Sequence, residues 1–135
     1  MKIVYITNAR LPTEKAHGVQ IIKMIEALSS LNNEVILISP KRIQNEISHK
    51  TSVFNFYNVK KVFDHNLVDF LDPYKYRSLM PKFFYRIFSF IVNLLWGIKS
   101  ARLGSKLNGD FYIFRDNTPF SYLFCTIFSK RCVVE

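Results

Sequence analysis

Residues 2–39 constrain the fold more than any other stretch. Lys2-Ile-Val-Tyr-Ile-Thr7 is a short, almost wholly apolar run, the pattern of a central parallel strand buried on both faces. A polar loop follows, kept extended by Pro12. From Gly18 to Leu31, Val19, Ile22, Ile25 and Leu28 recur at helical spacing, and Ile21 and Met24 widen the stripe. Asn32-Asn33 supply residues that tolerate left-handed backbone and stop the helix. Glu34-Val-Ile-Leu-Ile-Ser39 is a second strand, ended by Pro40. Strand, amphipathic helix and strand make a β-α-β unit. It commits the chain to an α/β class, a Rossmann-like three-layer α/β/α domain with a mostly parallel sheet.

Beyond Lys41 the signals thin. Thr51–Val59 reads as a strand on the β-propensity of Val53, Phe54, Phe56 and Tyr57, although the period does not decide. Pro73–Pro81 is a connection rich in Tyr and basic residues. A long helix is expected from Lys82 to about Leu107, with Phe84, Ile87, Phe88, Ile91, Leu94, Leu95 and Ile98 on one face. Gly97 and Gly104 weaken its far half by ~1 kcal/mol each relative to alanine, and Asn108-Gly109 ends it. Asp110–Arg115 reads as a fourth strand, Pro119–Ser129 as a helix and Arg131–Val134 as a fifth strand.

At 135 residues the chain is one domain, and 49% apolar residues with 13 Phe exclude a disordered segment. The start MKIVYIT is a first strand rather than a secretory leader. Cys125 and Cys132 have no metal or redox spacing and are expected as buried thiols in a reduced, cytoplasmic compartment. His17, His49 and His65 have no ligand spacing, so no metal is expected. The net charge of +9 is uneven. Residues 1–72 carry nine basic and seven acidic side chains, residues 73–109 seven basic and none acidic, and residues 110–135 three of each. The positive charge follows an apolar helix rather than a polar groove, and no RNA- or DNA-binding motif is present, so nucleic acid is not an expected partner.

A strand, a loop and a helix opened by a glycine is where open α/β sheets place anionic ligands, against the unpaired N–H groups of the helix N-terminus. With one glycine and no G-x-G-x-x-G, that generic pattern is weak. The particular residues say more. Asn8 to Leu28 reads N-x-R-x-P-x-E-K-A-H-G-x-Q-x-x-K-x-x-E-A-L, which resembles the opening of bacterial glycosyltransferase family 4 enzymes of the GT-B fold. The resemblance is densest over residues 1–42, thinner to about Leu71, and returns weakly at 110–135. It implies a short helical turn within Thr51–Val59 instead of a strand, with the third strand nearer His65–Phe70. It implies the N-terminal, acceptor-side domain of a retaining enzyme that transfers a sugar from a nucleotide sugar to a cell-surface glycan or lipid-linked acceptor. The donor site and paired acidic residues would lie in a following domain, so no catalytic residue is assigned here. The nucleotide sugar would be a co-substrate, with no metal or other cofactor required.

The same resemblance implies that Gly18 lets the backbone approach the donor diphosphate; the plain alternative is a helix that happens to start at glycine. Replacing Gly18 is then expected to harm turnover more than folding. Asn8, Arg10, His17, Gln20, Arg115 and Asp116 are the candidate cleft or acceptor contacts. For Arg10 the alternative is a loop ion pair with Glu14, for His17 a plain surface position, and for Arg115-Asp116 an ion pair fixing the turn before Asn117.

A second idea comes from Tyr74–Lys106. Phe83–Ile98 is short of the ~20 residues a bilayer span needs. Flanked by Lys and Arg alone, it could instead lie on an anionic membrane, with Lys82, Phe83, Phe84, Arg86, Phe88 and Trp96 facing the lipid. The alternative is that its apolar face is core and its charges a solvated face. The rival to an enzyme is thus a non-catalytic Rossmann-like module that binds a membrane or partner protein through this helix.

Overall fold

The structure, a computed structural model, describes residues 1–42, 52–60, 63–115 and 131–134. The expected helix 119–129 and the candidate Asp116 lie outside the described residues. Five strands, β1 (Lys2–Thr7), β2 (Glu34–Pro40), β3 (Asp64–Val68), β4 (Phe111–Arg115) and β5 (Cys132–Val134), form one sheet in the order β3-β2-β1-β4-β5. Every pairing is parallel. Helix α1 (Ala16–Ser30) links β1 to β2, the one-turn α2 (Val53–Phe56) precedes β3, and α3 (Lys82–Lys106) leads into β4.

Parallel strands need crossovers, so helices cover both faces and the central strands are apolar on both. In β1, Ile3 and Tyr5 point to the side of α1, where they pack with Ile21, Ile22, Ile25, Val35 and Leu37. Val4 and Ile6 point the other way, among Ile38, Trp96, Tyr112 and Phe114. The chain is therefore a three-layer α/β/α domain with a separate core on each face of the sheet.

Most boundaries fall within two residues of expectation. α1 begins two residues before Gly18, so this glycine sits inside the first turn rather than opening the helix. Asn32 takes the left-handed conformation (φ 59°) that ends α1, and Asn108 (φ 48°) does the same after α3. β2 runs one residue past Ser39 and ends with Pro40 itself, which is paired with Val68. Residues 53–56 are helical, with the Ser52 side chain accepting from the Asn55 N–H as N-cap.

Two expectations are corrected. The core face of α3 is Val92, Trp96, Gly97, Ser100, Ala101 and Gly104, not the stripe of larger residues. The small residues let the helix lie close on the sheet: a Cβ on Gly104 would stand 3.0 Å from Ile6 Cδ1. The glycines that weaken α3 as an isolated helix thus let it dock. Cys132 is half-buried on β5 and disulfide-bonded rather than a free buried thiol; an edge strand does not seclude it in the core. Among the described residues no helix is long and apolar enough to cross a membrane.

Candidate functional site

The strand order gives the sheet its switch point. The chain runs outward from β1 to β3 and then returns to the other side of β1 for β4. Thr7 and Arg115 are paired at the carboxyl ends of β1 and β4, where open α/β sheets leave a crevice. A cleft of about 490 Å³ opens at that edge. The loop after β1 lines it with Asn8 and Arg10, the approach to α1 with Lys15 and His17, the end of β2 with Arg42, and α3 with Tyr85 and Asn93. Arg10, Lys15, Arg42 and the imidazole of His17 line the space, and no carboxylate is among the lining residues.

Each wall is tied to the next. The Asn8 amide donates to Asn93 Oδ1 (3.0 Å), joining the β1 loop to α3. Arg42 is buried and donates to the Asn8 carbonyl oxygen (3.2 Å), joining the β2 end to the same loop. Arg10 pairs with the buried Asp72 (2.7 Å) and its guanidinium carbon lies over the Tyr74 ring, 4.0 Å from the centroid. Asp72 also accepts from the Tyr74 N–H, capping the 3-10 turn Pro73–Tyr76. Arg10 therefore has an ion-pair partner, but it is Asp72 rather than the expected Glu14. The Tyr74 N–H, donating to the same Asp72 oxygen, holds that carboxylate in place for the guanidinium.

His17 is exposed and lines the cleft. α1 has Lys15 as N-cap with no side-chain cap, and no acid in its first turn. Gly18 is different. It is buried, its N–H donates to the Lys15 carbonyl (2.9 Å), and a Cβ there would overlap the Thr13 methyl and the Tyr57 hydroxyl. That hydroxyl receives a hydrogen bond from the Thr13 N–H and donates one to the Thr13 carbonyl, both 2.7 Å, and burial pushes its pKa up. Gly18 is thus a packing glycine with an occupied N–H. Against the expectation that replacing it would harm turnover more than folding, any side chain here meets Thr13 and Tyr57, so folding is affected directly. The first-turn N–H groups left without an intrahelical carbonyl are those of Ala16 and His17.

Gln20 and Arg115 meet each other instead of the cleft: Arg115 donates to Gln20 Oε1 at 2.7 Å, bridging the end of β4 to α1. Of the membrane-facing candidates, Lys82, Phe83, Phe84 and Arg86 are exposed. Phe88 is half-buried, edge-on to Tyr76 with centroids 5.6 Å apart. Trp96 is corrected outright. It is 2% exposed, packed edge-on to Phe70 in the core beneath α3, because its position falls on the sheet-facing side of the helix.

Asp72, Arg42 and Asn93 were not singled out from sequence. Arg42 follows β2 as Asn8 follows β1, so the strand-end rule that points to Asn8 points to it as well. Asn93 interrupts an apolar helical run, which is the signal for a polar contact inward. Away from the cleft, His65 Nε2 lies 2.7 Å from the Ser39 hydroxyl, and burial lowers its pKa to about 4, so the ring is neutral near pH 7. Among the described residues no group of three or more His, Cys, Asp or Glu is placed to hold a metal.

No family model matches the chain, and no curated protein matches it. Among solved structures it is similar to the C-terminal domain of a hydrogenase from Pyrococcus furiosus, with a TM-score of 0.56 and 12% identity over 99% of this chain and 90% of that one. At that identity the likeness extends to the fold alone: this chain is an α/β domain of Rossmann-like architecture.

Proposed function

We propose that this domain is the acceptor-side half of a nucleotide-sugar-dependent glycosyltransferase, with the cleft at the carboxyl ends of β1 and β2 as its working face. The observation that carries the reading is a cleft at the sheet's switch point lined by Arg10, Lys15, His17 and Arg42 with no facing carboxylate. Such a surface suits phosphate-bearing sugars, and the Asn8–Leu28 motif supports a sugar-transfer role for it. Asn8 and His17 contact the acceptor, a glycan or lipid-linked sugar. The N–H groups of Ala16 and His17, with Lys15 beside them, take the place first given to Gly18 in stabilising charge on a leaving diphosphate. Arg115 and Gln20 brace the rim as a pair. The cytoplasmic compartment read from unpaired cysteines loses that support, because Cys132 is disulfide-bonded.

The test is chemical-shift mapping of the isotope-labelled protein against nucleoside diphosphate sugars and a sugar phosphate. Shifts concentrated at Asn8–His17 and Asn93 are expected. No shifts at millimolar ligand, or shifts confined to another face, would contradict the reading.

A further inference from the structure

α3 has a second face whose large apolar side chains are exposed. Phe83, Phe84 and Phe90 are 69, 62 and 63% exposed, and Ile87, Ile91, Leu95 and Ile98 are also exposed. At 100° per residue these side chains fall within an arc of roughly 140° and run ~22 Å along the helix. A lone exposed leucine is ordinary; a contiguous stripe of this kind marks an interaction surface.

The charges around the stripe identify the partner. Lys82 and Arg86 flank it near its start, and Lys99, Arg102 and Lys106 near its end. Among the described residues none of these five has a carboxylate partner, and residues 73–109 contain no Asp or Glu at all. Two shallow hollows occupy the two ends. One, of about 550 Å³, is lined by Tyr74, Arg77, Lys82, Tyr85 and Arg86. The other, of about 450 Å³, has Phe70, Leu95 and Ile98 as an apolar floor and Lys99, Arg102 and Lys106 at its rim. Cations at the margin, aromatic and aliphatic residues in the middle, and no helix able to span describe a helix that lies in the plane of an interface.

We propose that this face of α3 docks onto an anionic lipid bilayer, with Phe83, Phe84, Phe90 and their neighbours among the acyl chains and the basic residues among the headgroup phosphates. A second copy meeting it through the same helix fits less well, since that would set cations against cations with no acid in residues 73–109 to pair. The docking does not rest on the proposed sugar chemistry. It adjoins the cleft all the same, because Tyr74 and Tyr85 line both the first hollow and the cleft.

The test is flotation of the purified protein with vesicles of phosphatidylcholine alone and with about one third phosphatidylglycerol. The anionic vesicles should bind at least ~10-fold more protein, with the excess removed by high salt. Lys82→Glu/Arg86→Glu and Phe83→Ser/Phe84→Ser should each lower the partitioning by about 10-fold with the melting temperature unchanged. A Phe84→Trp reporter should shift its emission to the blue when anionic vesicles are added. Equal binding to both vesicles, no binding to either, or a reporter that stays solvent-exposed would overturn the proposal. So would a stable dimer, or capture of an acidic protein, that the same substitutions abolish while vesicles remain unbound.

Discussion

Gly18 shows how one residue type can carry two explanations. By sequence it marks a ligand-facing helix start; in the fold it makes room for the Tyr57 hydroxyl and Thr13. Gly18→Ala should therefore destabilise by about 1–3 kcal/mol through overpacking, read as a lower midpoint in urea at unchanged slope. An unaltered midpoint would restore the ligand explanation. Arg10 can be tested in the same way. Arg10→Ala leaves Asp72, 6% exposed, without its counter-ion, and a loss on the order of 3 kcal/mol is expected from urea unfolding. His65 adds a pH dependence. Its folded pKa of about 4 lies below the 6.5 of an unperturbed histidine, so the unfolded chain takes up a proton that the folded one refuses. The stability of the neutral, Ser39-bonded ring is complete above pH ~6.5 and drains away as pH falls toward ~4, by about 2–3 kcal/mol. His65→Asn should flatten that slope in unfolding experiments across the same window.

Among the elements, α3 separates what the sequence discloses from what it hides. Its extent was legible because Pro81, a long apolar period and Asn108 bracket it. Its orientation was not. The period favoured the stripe of large apolar residues from Phe84 to Ile98, whereas Val92 and Trp96 with the small residues Gly97, Ser100, Ala101 and Gly104 met the sheet. The small side chains allow a close approach of helix to strand, and Val92 and Trp96 fill the space beside them. The two faces then predict opposite outcomes. Trp96→Ala empties a core position and should cost about 3–5 kcal/mol, whereas Phe84→Ser on the exposed stripe should change stability by less than ~0.5 kcal/mol. Thermal melts of the two variants check both statements; a large loss at Phe84 would mean that this face is covered by the protein itself.

For the whole molecule, the sheet order follows from parallel pairing and from a first unit, β1–α1–β2, that reads plainly in residues 2–39. Strand ends place the cleft, so Asn8, Arg10 and His17 could be anticipated from where β1 stops. The partners that close the cleft could not. Asp72 and Asn93 lie 62 and 85 positions from the residues they hold, and nothing local in the sequence announces such contacts. The same gap explains why Arg115 was expected in the cleft and instead binds Gln20 across the strand end.

The central claim is that the cationic cleft takes part in sugar transfer. It is tested most directly by following labelled sugar from a panel of nucleotide sugars onto glycan and lipid-linked acceptors, using the complete gene product. Lys15→Ala and His17→Ala should be compared with wild type, because both side chains are exposed and can be removed without disturbing the core. The account predicts transfer by the wild type, and a loss of about 10-fold or more in each variant with the melting temperature unchanged. Transfer that is indifferent to both substitutions, or a folded protein that transfers nothing, would contradict it.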